Sequence, residues 1–91
     1  MITRENLNAV LGMLSEQQLE QCLDCDQEFV LVSLHICNAS SFVSIRFSYD
    51  PDEFEAEEVD GNLLINTDEL IRLLEEGREL FKQFKEERRE L

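Results

Sequence analysis

The stretch from Glu28 to Tyr49, EFVLVSLHICNASSFVSIRFSY, decides the fold of this chain. From Glu28 to Cys37 side chains alternate between two faces that both begin apolar, which predicts a central strand. The first face carries Val30, Val32, Leu34 and Ile36, and the second carries Phe29, Leu31, Ser33, His35 and Cys37. Asn38-Ala39-Ser40, which follows, has the composition of a turn.

The second half of this stretch predicts another strand, from Phe42 to Tyr49, with one buried face. Its inward side chains are Val43, Ile45, Phe47 and Tyr49, and its outward side chains are Ser44, Arg46 and Ser48. Such alternation across a short turn predicts a β-hairpin with one face against the core.

Two short helices are predicted before the hairpin. Thr3 is the expected cap of the first, whose apolar positions follow helical spacing: Leu7, Val10, Leu11 and Leu14. Ser15-Glu16-Gln17-Gln18 has the pattern of a capping box, which predicts the start of a second helix at Ser15. Its apolar face is Leu19, Cys22 and Leu23.

After the hairpin the pattern is weaker. Asp50-Pro51-Asp52 ends the second strand, and residues 54–59 predict an acidic edge strand before the turn Asp60-Gly61. Residues 63–65 are expected to pair briefly after that turn. A single final helix is then predicted from Asn66 or Thr67 onward, about 33 Å long at ~1.5 Å per residue. Its apolar stripe is Leu70, Leu74, Gly77, Phe81, Phe84 and Leu91, widened by Ile71, Leu73 and Leu80.

These elements predict one α+β domain spanning residues 1–91, in the order α-α-β-β-β-α. The sheet is expected to be antiparallel and three-stranded, or four-stranded if residues 63–65 count as a strand, with helices packed on one face. Leu74 and Phe81 are the predicted core residues of the last helix, and they should face Val32, Leu34, Ile45 and Phe47. A chain of 91 residues and 10.7 kDa has room for one modest core.

The charge is strongly negative and unevenly spread. Twenty-one acidic residues against eight basic ones give a formal net charge of −13, which disfavours direct binding to nucleic acid or to an anionic membrane. A stretch without any base holds seven of the acids, and we predict that they bind a basic protein partner: Asp50, Asp52, Glu53, Glu55, Glu57, Glu58 and Asp60. Two simpler explanations are solubility and protection of an exposed strand edge.

The functional hypothesis is therefore a small non-enzymatic interaction protein with an acidic face. One specific version is an inhibitor that imitates nucleic acid, of the type found in phages and mobile elements. The alternative is a homodimeric structural or accessory subunit assembled through the amphipathic C-terminal helix. A cytoplasmic location is expected because the N-terminal residues show no signal-peptide pattern and the cysteines are odd in number.

Enzymatic and metal chemistry have little support in the sequence. Cys22, Cys25, His35 and Cys37 are potential zinc ligands, but their spacing is not that of a zinc finger or knuckle. A calcium loop beginning at Asp50 would need glycine where Glu55 stands and glutamate where Gly61 stands. We therefore expect no catalytic residues, no bound metal and no cofactor.

Overall fold

The computed structural model describes residues 2–3 and 5–89. The helices are α1 (Leu7–Gly12), α2 (Glu16–Asp24), α3 (Ala56–Val59), α4 (Thr67–Gly77) and α5 (Glu79–Arg89), and the strands are β1 (Phe29–Cys37), β2 (Ser40–Ser48) and β3 (Leu63–Asn66). The α+β class and the order α-α-β-β-β-α are confirmed, with an added one-turn helix before β3 and a final helix in two parts. No helix among the described residues has the length and apolar character needed to cross a membrane.

The three strands form one antiparallel sheet in the order β2-β1-β3, so β1 is central as predicted. β1 pairs with β2 along its whole length, from Phe29 opposite Ser48 to Cys37 opposite Ser40. β3 covers only the first part of β1, from Phe29 to Val32. The tight turn between β1 and β2 places Asn38 at φ 51°, in the left-handed region that asparagine tolerates better than most residues.

The predicted edge strand at residues 54–59 is wrong. Residues Pro51–Glu53 form a 3-10 turn and Ala56–Val59 form α3, while the third strand is β3, in the stretch expected to pair only briefly. Side chains of the segment itself satisfy its backbone: the N–H of Asp52 donates to Asp50 Oδ1 at 2.9 Å, and that of Glu55 donates to Glu58 Oε2 at 3.0 Å. Such local bonds favour turns and helix starts over strands.

The single long final helix is also wrong, because the chain breaks between α4 and α5. Arg78 at the break has an extended backbone, with φ −140° and ψ 102°. Its guanidinium Nη1 donates to the carbonyl oxygen of Leu11, in the last turn of α1, at 3.2 Å and to that of Leu14, two residues beyond α1, at 3.1 Å. A Cβ atom at Gly77 would lie 3.3 Å from Asn8 Oδ1, so α4 ends in close contact with α1. The predicted stripe position Leu91 lies outside the described residues.

The N-terminal half follows the prediction except at its first cap. α1 begins at Leu7 with Asn6 as its N-cap, and the N–H of Thr3 donates to Asn6 Oδ1 at 2.7 Å, so Thr3 does not cap the helix. The capping box of α2 is confirmed in both directions between Ser15 and Gln18. Gln18 Nε2 also donates to the carbonyl oxygen of Val43 at 2.7 Å, which ties α2 to β2.

The main core lies between four helices, α1, α2, α4 and α5, and one face of the sheet. Its buried members are Val10, Leu11, Leu14, Leu19, Cys22, Val30, Val32, Val43, Leu70, Leu74 and Phe81. Leu74 and Phe81 are fully buried, as predicted. Tyr49 was predicted inward but is 58% exposed, whereas Ser48 was predicted outward and is buried. The strand ends at Ser48, whose hydroxyl donates to the carbonyl oxygen of Asp50, and the chain then turns away.

Candidate interaction surface

The acidic segment, defined here as residues 50–60, is anchored to the sheet by Phe54. The Phe54 side chain is only 6% exposed, and the Arg46 guanidinium carbon lies 5.3 Å from its ring centroid. Arg46 pairs with Leu31 across β2 and β1, and Leu31 is buried although it is outside the main core. Since Leu31 alternates with the core residues Val30 and Val32, the segment lies against the sheet face opposite the main core.

Two acids of the segment hold its backbone in place. Asp50 receives the N–H of Asp52, and Glu58 receives the N–H of Glu55 at the start of α3. Asn62 Nδ2 donates to the carbonyl oxygen of Glu58, and Gly61 then turns the chain at φ 78° into β3. Glycine reaches that conformation without the steric cost that a side chain adds. The acidic segment is therefore an ordered turn and helix.

One cation from the sheet reaches the segment. Arg46 Nη1 lies 2.8 Å from Glu58 Oε1, with both side chains partly exposed. The hydrogen bond from Arg46, followed by that from the Glu55 N–H, lowers the pKa of the Glu58 carboxyl below its ordinary value. Among the ion pairs formed by the side chains of residues 2–3 and 5–87, this is the one that involves the acidic segment.

The structure places all seven predicted residues on one continuous surface segment. Glu58 is half-buried and paired, and the exposed members are Asp50, Asp52, Glu53, Glu55, Glu57 and Asp60. The Asp50 carboxylate, although exposed, also receives a backbone N–H. A dense group of carboxylates on an ordered surface attracts cations over distances of about a Debye length, ~10 Å at 0.1 M salt.

The segment also borders a shallow, open depression that sequence reasoning missed. Its apolar lining is Pro51, Phe54, Ala56, Val59 and Leu64, and its acidic lining is Asp52, Glu57 and Asp60. An edge strand would have alternated these side chains between two faces, whereas the turn and α3 bring them to one side. In the sequence, this depression was indicated by the single apolar residues that recur among the acids of residues 50–60. The arrangement suits an apolar side chain flanked by positive charges.

The four potential zinc ligands are not gathered into one site. Cys22 is buried in α2, where burial and then the neighbouring Cys25 raise the pKa of its thiol to about 12. Cys37 is exposed at the end of the hairpin. His35 Nε2 lies 2.8 Å from Ser44 Oγ, and the His35 ring stacks on Phe42. Within the described part of the chain, no three or more His, Cys, Asp or Glu residues are arranged to hold a metal ion.

Comparison with known protein families, curated proteins and solved structures found no match for this chain. Resemblance to another protein therefore contributes nothing to its functional assignment. Function belongs to sites and not to folds, so the α+β class alone assigns none either. What the protein binds has to be inferred from its own surface.

Proposed function

We propose that this chain is a small acidic, non-enzymatic interaction protein that binds a basic protein partner through residues 50–60. This proposal is supported by one observation above all: the acidic segment is ordered and anchored while six of its seven acids remain exposed. An ordered binding surface has less conformational entropy to lose when the partner docks. Opposite charges would also speed the encounter of the two proteins.

Protection of a strand edge is a weaker explanation of these acids than it was from the sequence alone. That explanation required residues 54–59 to be an edge strand, and they form part of a turn and α3. Solubility remains as a general effect of the net charge, but it does not require seven acids within one anchored segment.

The apolar depression narrows the chemistry of the partner. A purely cationic partner would use only the carboxylates, while a partner with one apolar side chain among lysines and arginines would also cover the half-buried Val59 and Leu64. Burial of apolar surface contributes to the binding affinity. Charge complementarity raises the association rate and orients the partner. We therefore propose a basic, amphipathic segment as the bound element.

Imitation of nucleic acid is the more specific version of this proposal. Duplex DNA carries one charge per ~1.7 Å of its axis, and the longest extent of the domain is 41 Å. The acids of α2 lie on the helical side of the sheet and the acidic segment lies on the other side. A DNA-imitating surface would thus use the acidic segment and its immediate neighbours, and excess duplex DNA should displace the protein from its partner.

The alternative, a homodimer assembled through the C-terminal helix, has less support. Leu74 and Phe81 of its apolar stripe are fully buried within the same chain. Leu80 is left as an exposed large apolar residue of α5, at 53% exposure. A single side chain of that kind is normal on a protein surface.

The experiment compares two variants that remove the same amount of charge. In the first, Asp52→Asn, Glu53→Gln, Glu57→Gln and Asp60→Asn neutralise the acidic segment but keep the Arg46–Glu58 pair. In the control, Gln replaces four exposed acids elsewhere: Glu20, Glu76, Glu86 and Glu87. Both variants change the net charge from −13 to −9.

The probe is a synthetic lysine-rich amphipathic peptide containing one leucine, and association rates are measured by surface plasmon resonance at low and high salt. We expect slower association and weaker binding for the first variant and nearly unchanged binding for the control. Equal losses in both variants would mean that only net charge attracts the peptide, and the proposed surface would be wrong.

A further inference from the structure

The hairpin extends beyond the rest of the sheet. β3 pairs with Phe29–Val32 only, so Ser33–Cys37 have no strand on that side among the residues that the structure describes. We call residues 33–44, which form this far end of β1 and β2 with their connecting turn, the distal hairpin. Its unpaired β1 edge offers backbone N–H and C=O groups to a further strand.

The distal hairpin carries large apolar side chains that the helices do not cover. Ile36 is 72% exposed and Phe42 is 53% exposed. Phe42 lies opposite His35 in the register, and their ring centroids are 4.7 Å apart. Because neighbouring side chains on a strand alternate, Ile36 lies on the other face of the sheet from this stacked pair. Both faces of the distal hairpin are therefore partly apolar and open.

This region also lacks acidic, lysine and arginine side chains, although the protein as a whole is strongly acidic. No Asp, Glu, Lys or Arg occurs between Glu28 and Arg46. Two copies of a chain with a net charge of −13 repel each other over most of their surfaces. They can approach most closely where both present an uncharged patch.

We propose that the distal hairpin is the contact surface between two copies of this chain. A two-fold dimer uses the same patch on both subunits, and an uncharged strand edge is complementary to itself when the second copy runs antiparallel to it. A basic partner would be attracted to the acids elsewhere, and the neutral hairpin offers it no charge complementarity. The dimer uses none of the acids in residues 50–60, so it stands apart from the proposed function.

The test is sedimentation velocity on the full chain over a range of protein concentrations and at two ionic strengths. Raising salt from about 0.01 M to about 1 M shortens the Debye length from ~30 Å to ~3 Å. Repulsion between the copies is then screened, so we expect the dimer fraction to increase with salt. If contacts between opposite charges held the dimer together, the dimer fraction would instead decrease with salt.

Ile36→Glu should raise the dimer dissociation constant at least about tenfold, the effect of losing one buried aliphatic side chain. The matched control is Leu80→Glu, which places the same charge at an exposed apolar residue of α5 and should leave the dimer intact. Thermal unfolding of both variants checks that they fold. Chemical-shift changes on dilution of the unmodified protein locate the contact without any substitution, and they should fall in residues 33–44.

Three results would overturn the proposal. The unmodified protein could stay monomeric at high concentration and high salt. The dimer could be lost in Leu80→Glu and kept in Ile36→Glu, which would place the interface on the C-terminal helix. The dilution shifts could map outside the distal hairpin.

Discussion

Arg78 Nη1 donates a hydrogen bond to the carbonyl oxygen of Leu14 at 3.1 Å, across 64 positions of the sequence. The same nitrogen reaches the carbonyl oxygen of Leu11 at 3.2 Å. Leu11 lies in the last turn of α1, where the backbone carbonyl groups form the negative end of the helix dipole and a nearby cation is favourable. One side chain thus stabilises the end of α1 and sits at the break between α4 and α5.

Replacing Arg78 should destabilise the fold through this contact. We expect Arg78→Ala to lower the free energy of unfolding by about 1.5–3 kcal/mol, the range for hydrogen bonds to charged groups. Arg72→Ala is the control, because Arg72 is exposed and its 3.7 Å contact with Glu69 is a surface ion pair worth about 0.3–0.5 kcal/mol. Urea unfolding measures both, and equal losses would contradict the role given to Arg78.

Phe81 is the central side chain of α5. Because it is fully buried, Phe81→Ala should lower the free energy of unfolding by about 3–5 kcal/mol. Leu80→Ala, at the exposed neighbouring position, should cost much less. Denaturant unfolding monitored by circular dichroism gives both values. A loss below about 1 kcal/mol for Phe81→Ala would be inconsistent with burial of this ring in the core.

Phe54 should control the order of the acidic segment as well as stability. Removing its buried ring in Phe54→Ala is expected to cost about 3 kcal/mol and to release residues 50–60 from the sheet. The substitution should then accelerate amide hydrogen exchange in residues 50–60 more than in β1. Unchanged exchange in residues 50–60 would show that local capping alone keeps the segment ordered.

The contribution of Glu58 to the stability of the fold should depend on pH, and this dependence should require Arg46. Its pKa is lower in the folded state than the ordinary value of 4.5, so its pairing stabilises the fold above that value. The contribution is lost as the pH falls below 4.5 through the folded-state pKa. An NMR titration should find that Arg46→Gln raises the pKa of the Glu58 carboxyl toward the ordinary value, while Arg72→Gln leaves it in place.

The three thiols should react in an order set by exposure. Cys37 is exposed, Cys25 is partly buried and Cys22 is fully buried with a raised pKa. A thiolate is the reactive species, so Cys22 should react with an aromatic disulfide reagent only when the protein unfolds. The fast phase should disappear in Cys37→Ser. A fast phase that survives this substitution would contradict the assigned exposures.

The sequence by itself determined the elements that depend on near neighbours. The alternation in Phe29–Cys37 specified the central strand, and Ser15 with Gln18 specified the start of α2. Asn66, one of the two residues at which the sequence predicted the final helix to begin, caps α4 with a side chain that accepts from the Asp68 N–H. Each of these features depends on contacts within a few residues or on the two-residue period of a strand. The acids of residues 50–60 were also visible as a candidate surface.

Only the tertiary structure decided the third strand, the break in the final helix and the surroundings of the acids. Leu64 pairs with Leu31, Arg78 bonds to Leu14, and Phe54 lies beneath Arg46. None of these partners is set by local periodicity, because each contact forms between segments that meet only after the chain has packed. The apolar depression beside the acids follows from the same packing, since burial of Phe54 aligns its neighbours on one side of the segment.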